Sequence, residues 1–270
     1  MIKSMNRFLP FFFFVILAII ISGCPPAHEV KKEEPPPLPV VKKPPVAGFD
    51  ITIGSLNISR LSKRIEQTDV RDLADLLSKE KIDILTIEGL SRYPDIASRV
   101  DIVDELAREA EMHHAFGETI NISGRQGGNA ILSLYPIRSN ENTHYEGIRS
   151  NGFEAALLAT IDCGVADVVV VVTLLPEKTS PEDLTVYTSK LNVIPESFPG
   201  HPIIISGNLP NSGTSHSVTK FETVPVASND TPTWWYSSDS SLKFLGQDVR
   251  PSSLGTVVMA RFSIFDKPKQ

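Results

Sequence analysis

Residues 48–270 predict one α+β (mixed α/β) domain built of packed layers. Three observations carry the prediction. Short apolar stretches of period two are interspersed with stretches whose apolar residues recur every three or four positions. Strands are mixed with helices and partly follow one another directly, an order that indicates packed layers. The segment is also long enough to bury one sizeable core, and no internal repeat divides it.

The elements follow in order. In residues 49–58, Phe49, Ile51 and Ile53 share one face of a strand. Residues 69–78 form a helix with Val70, Leu73 and Leu77 on one stripe, and 82–87 form a short buried strand. Residues 94–110 predict an amphipathic helix, with Ile96, Val100, Val103, Ala107 and Ala110 spaced by fours and threes. His113-His114 reads as a polar strand start. Adjacent strand residues diverge, so the pair makes no metal site. Gly124-Arg125-Gln126-Gly127-Gly128 opens no helix, so it is a loop and not a phosphate cradle. A strand follows over 129–134. Residues 155–161 and 168–173 pair as a hairpin across Asp162-Cys163-Gly164. Ser180-Pro181-Glu182-Asp183 starts a helix that runs to about Ile194: Ser caps it, Pro takes its first position, and the acids face its dipole. Residues 203–206 and 256–264 are the closing strands. Trp234-Trp235-Tyr236 offers either an exposed recognition surface or packing in the core or at a rim. Pro232 and residues 237–241 suggest a mobile polar loop.

The start of the chain has a different character. Lys3 and Arg7, with no acid near them, precede an apolar run over 8–21 that contains Pro10. That is the charged and apolar pattern of an export signal, and the run falls short of the ~20 residues that span a bilayer. An uncleaved N-terminal anchor is the alternative. Ile21-Ser22-Gly23-Cys24 then resembles the lipobox of bacterial lipoprotein precursors: an aliphatic residue, two small ones, and Cys. The resemblance implies that Cys24 becomes the mature N-terminus and carries lipid, with palmitate among its acyl chains. Two or more chains anchor stably where one holds only marginally. A chance Cys behind an ordinary cleavable signal is the competing reading. Residues 25–46, rich in Pro, Lys and Glu, cannot bury a core and read as an extended, disordered tether. The expected organisation is therefore a signal peptide over 1–23, a lipidated Cys with its tether over 24–47, and the domain over 48–270. The expected location is the cell envelope, with the membrane as partner through Cys24.

Charge and cysteine content narrow the remaining classes. The formal net charge is −6. Loss of Lys3 and Arg7 with the leader makes the mature form more acidic still. Nucleic-acid affinity rests largely on Lys and Arg at phosphates, so this balance argues against nucleic acid as a partner. The two cysteines are Cys24 and Cys163. With Cys24 acylated, Cys163 has no partner in the chain and reads as a small buried apolar residue.

Several segments, taken in order over nearly the whole domain, resemble the endonuclease/exonuclease/phosphatase superfamily with its DNase-I-like fold. Leu56-Asn57 matches a first strand ending in Asn. Asp83-Ile84-Leu85-Thr86-Ile87-Glu88-Gly89 matches the family's Asp-Ile-Leu-x-Leu-Gln-Glu strand. Gly128-Asn129-Ala130-Ile131-Leu132-Ser133-Leu134-Tyr135-Pro136-Ile137 is the most specific match. Thr173-Leu174-Leu175 stands at the family's Thr-His-Leu, Gly207-Asn208-Leu209-Pro210 at its Gly-Asp-x-Asn, and Ser253-Leu254-Gly255 at its Ser-Asp-His. The resemblance implies a four-layer sandwich: two packed β-sheets flanked by helices.

The same alignment strips the chemistry. The family's metal-holding Glu falls on Gly89, its phosphate-contacting His on Leu174, and its orienting Asp and Asn on Asn208 and Pro210. Its Asp-His base pair falls on Leu254-Gly255. Of the usual set Asn57 remains. Glu88 is one residue early and is expected to point away from the cleft unless a bulge shifts it, so it is a weak metal candidate. A general base alone contributes factors of about 10² to 10⁴. The reading is a degenerate, non-catalytic domain with no cofactor, displayed as an envelope binding or scaffold module whose partner is unknown. The alternative is a phosphohydrolase or nuclease dependent on a divalent metal such as Mg²⁺, with relocated ligands drawn from Glu88, Asn57 and a further carboxylate. An unrelated α+β envelope protein is the third possibility, and a single open sheet would favour it.

Overall fold

The computed structural model describes residues 48–93, 100–145, 155–174, 180–208, 221–224, 233–237 and 241–265. The leader, Cys24 and the tether lie outside these residues, as do 94–99, Leu209-Pro210, Pro232 and 238–240. The side chains of Asn208 and Trp235 are likewise undescribed.

The elements run β1 (Phe49–Asn57), α1 (Gln67–Glu80), β2 (Ile84–Ser91), α2 (Ile102–Glu109), β3 (His113–Ile122), β4 (Arg125–Ser133) and β5 (Ile137–His144). They continue with β6 (Ala155–Asp162), β7 (Asp167–Leu174), α3 (Pro181–Ser197), β8 (Ile203–Asn208), β9 (Phe221–Thr223), β10 (Thr233–Ser237), β11 (Leu242–Ser252) and β12 (Gly255–Ile264). One six-stranded sheet has the order β11-β12-β1-β2-β4-β3, and the other β5-β6-β7-β8-β10-β9. Each holds one parallel pair, β1 with β2 and β7 with β8, and its remaining neighbours are antiparallel. A parallel pair needs a crossover, which α1 and α3 supply.

Strand alternation assigns the layers. In β7, Val168, Val170 and Val172 join Ile51, Ile53, Ile84 and Ile131 in the core between the sheets. Val169 and Val171 turn the other way, onto Tyr187 and Leu191 of α3. Leu56, Leu85 and Ile87 likewise turn outward, onto Val70, Leu73, Val103 and Leu106 of α1 and α2. The result is helix, sheet, sheet, helix, the four-layer arrangement. A β-branched run such as Val168–Val172 suits a strand buried on both faces, because its stiff side chains lose little further freedom there.

Four expectations need correction. The helix predicted over 94–110 begins at Ile102, and Val100 and Asp101 are not helical. Asp101 Oδ1 accepts from the backbone N–H groups of Val103 (3.0 Å) and Asp104 (3.3 Å). An Asp that caps these donors sets the boundary against the apolar periodicity. Gly127-Gly128 belongs to strand β4, and the turn is at Ser123-Gly124, both in the left-handed region (φ 53° and 88°). The glycine at 128 answers a close approach: a Cβ there would lie 2.0 Å from the Gly117 carbonyl oxygen. β5 and β11 were not anticipated. Both are edge strands: β5 exposes Arg138, Ser139, Asn140 and Glu141 in a row, and β11 exposes Leu245 and Val249 beside Lys243 and Asp248, so neither shows a clean apolar alternation. Ser237 and Ser241, assigned to a loop, are both buried, and Ser237 Oγ accepts from the Ile203 amide at 3.1 Å.

Other expectations hold. Ser180 caps α3 by accepting from the Asp183 amide at 3.1 Å. Cys163 is buried, and burial pushes its thiol pKa well up. Trp234 is buried in the core between the sheets. His113 and His114 open β3, and His114 Nε2 lies 2.9 Å from Asp104 of α2.

Candidate functional site

The C-terminal ends of both parallel pairs lie at one end of the sandwich, and the candidate residues meet there. In β1 and β2, Asn57 stands opposite Glu88 in register. Along β2, Ile84 packs between the sheets and Thr86 receives a hydrogen bond from Ser206 of the other sheet, at 2.7 Å. Glu88 follows on that same face. The expectation that it points away from the cleft is therefore overturned: the even positions of β2 face the opposite sheet.

Glu88 is fully buried. Ser55 Oγ donates to its Oε1 (3.1 Å) and Asn57 Nδ2 donates to its Oε2 (3.0 Å). Asn57 turns its amide oxygen the other way, accepting from Ser59 N (3.0 Å) and Ser59 Oγ (2.7 Å). The Ile58 amide donates to the Glu88 carbonyl at 3.0 Å. The carboxylate thus ties the end of β1 to the end of β2.

Gly89 explains the local geometry. The β2–β4 register shifts between Ile87 and Leu90, and Gly89 sits in this bulge with φ +70°. A Cβ there would be 2.4 Å from Ser59 Cβ, so a side chain at the position where the resemblance puts the metal-holding Glu would clash with Ser59. The Gly89 amide donates to Asn129 Oδ1 (3.4 Å), and Asn129 Nδ2 crosses to the Ala155 carbonyl of the second sheet (3.2 Å).

On the facing sheet, Leu174 ends β7, is 8% exposed, and pairs in register with Asn208. By alternation with Val170 and Val172 it lies on the inter-sheet side. Thr173 faces α3, where the Tyr145 and Thr173 hydroxyls are 3.1 Å apart. Burial pushes the Tyr145 phenol pKa well up. Leu254 does not line the mouth: it is buried in the outer core with α1 and α2. Gly255 does lie beside Asn57, with the position of a Cβ 3.8 Å from the Asn57 carbonyl oxygen.

Asn57, Glu88, Gly89 and Gly255 therefore come together, with Leu174 and the register position of Asn208 on the opposite sheet, while Leu254 is elsewhere. Sequence reasoning missed Ser55, Thr86, Asn129 and Ser206. Their signal was a polar residue at an inward position of an otherwise apolar strand, which requires a hydrogen-bond partner. Among the described residues no group of three or more His, Cys, Asp or Glu gathers. Among them also, no helix is long and apolar enough to cross a membrane.

No protein-family model matches the sequence, and no curated protein matches it significantly. Solved structures do match. An endonuclease/exonuclease/phosphatase from Beutenbergia cavernae superposes with a TM-score of 0.60 at 15% identity, over 80% of this chain and 72% of its own. Truncated TDP2 of Caenorhabditis elegans gives 0.58 at 15% identity, over 81% and 99%. The human Nocturnin catalytic domain gives 0.58 at 15%, over 80% and 93%. Identities this low speak to the fold, and function must be argued from the site. Two packed six-stranded sheets, a parallel pair in each, helices on both outer faces and these superpositions together identify the domain as having the endonuclease/exonuclease/phosphatase fold, the DNase-I-like sandwich.

Proposed function

We propose that the chain is a lipid-anchored envelope protein whose domain keeps this fold as a non-catalytic binding or scaffold module. One observation carries the reading: Leu174 and Gly255, aligned with the two imidazoles of the superfamily pattern, have side chains that cannot donate, accept or move a proton. Proton transfer by a placed side chain is a large share of such catalysis.

Among the described residues the donor set at the mouth also fits Mg²⁺ poorly. That ion demands near-octahedral oxygen ligation and usually draws on one or two carboxylates together with waters and substrate phosphates. Here both oxygens of Glu88 already accept hydrogen bonds from Ser55 and Asn57, and the Asn57 amide oxygen is held by Ser59. Glu88 acts as a structural tie. The lipid anchor rests on Ile21-Ser22-Gly23-Cys24, and the membrane is the partner it implies.

Two experiments test the two halves. The purified mature chain in detergent is assayed with Mg²⁺ or Mn²⁺ on plasmid DNA, a phosphodiester and a phosphomonoester. No turnover is expected. Turnover that vanishes in Glu88→Gln would replace this reading with a metal-dependent phosphohydrolase with relocated ligands. In the native host, labelled palmitate is expected to enter the chain and to be absent from Cys24→Ser. Equal label in both would remove the anchor.

A further inference from the structure

We draw no further inference here: the strongest candidate, the shallow hollow of about 190 Å³ between the β6–β7 turn (Val165, Ala166), the α3–β8 turn (His201, Pro202) and Phe265, carries nothing because nothing in the structure shows what covers it.

Discussion

Glu88→Gln separates a structural carboxylate from a metal-binding one, because the two roles move stability in opposite directions. In the wild type, the Ser55 hydroxyl and the Asn57 amide donate to the two carboxylate oxygens at 3.1 and 3.0 Å. A hydrogen bond to a charged group contributes about 1.5–3 kcal/mol. Gln keeps one acceptor oxygen and turns an NH₂ group toward the other donor. Ser55, fully buried, can rotate its hydroxyl to accept. Asn57 is exposed and can rehydrate. Gln carries no charge, so both contacts lose charge assistance while neutral ones can be remade, and the expected cost is about 1.5–3 kcal/mol for the two together. The assay is urea unfolding of the chain in EDTA, with an unchanged m-value showing that stability alone has moved. Magnesium is then added to both proteins, and no change is expected in either. The reasoning is refuted if the variant equals or exceeds the wild type in EDTA while the wild type alone gains stability with Mg²⁺. A site binding the ion would show about 2.7 kcal/mol at a hundred times its Kd.

Further predictions follow from the same geometry. Gly89→Ala places a Cβ against Ser59 at a left-handed φ and is expected to cost about 2–5 kcal/mol, read from the urea midpoint; a loss under about 1 kcal/mol would mean that the bulge relaxes freely. Leu174→His returns an imidazole to the mouth, yet no phosphatase or nuclease turnover is expected with Mg²⁺, at a stability cost of about 1–3 kcal/mol for the buried polar ring; turnover above background would show that the remaining groups suffice. Burial raises the pKa of Asp83, outweighing the hydrogen bonds it accepts from the Thr52 amide (2.8 Å) and the Tyr135 hydroxyl (3.1 Å). Its folded form therefore holds a proton more tightly than its unfolded form, and this contribution to stability fades as pH rises above the ordinary value of 3.8. Asp83→Asn should gain on the wild type in unfolding titrations as pH rises above 3.8, and a pH-independent difference would contradict that assignment.

Much of the sandwich was legible because its strands are simple. Val168 to Val172 can form little but a buried strand, and Ser180-Pro181 can begin little but a helix. β5, β9, β10 and β11 escaped prediction, and for two of them position in the sheet overrides composition. β5 and β11 sit at sheet edges, where polar residues are tolerated and the apolar period is lost. The helix at Ile102 starts late because the Asp101 side chain competes for its first amides, and a capping carboxylate leaves no trace in apolar spacing. At the site, counting along β2 left Glu88 on the wrong face. The face is defined by where the second sheet packs, and that sheet is supplied by residues far along the chain, such as Ser206, 120 positions from the Thr86 to which it bonds.

The amino-acid sequence alone determined the inner strands β1, β2, β6, β7, β8 and β12 and the capped start of α3, the acidic balance, and the mismatch of Leu174, Asn208 and Gly255 with the superfamily's reactive side chains. These follow from side-chain chemistry and local period, which need no partner in space. Only the tertiary structure decided that Glu88 turns inward onto Ser55 and Asn57, that Gly89 must lack a side chain, and that Leu254 belongs to the helix-side core. Each of these depends on which distant backbone comes within a few ångströms, a property of packed layers that no short window of residues contains.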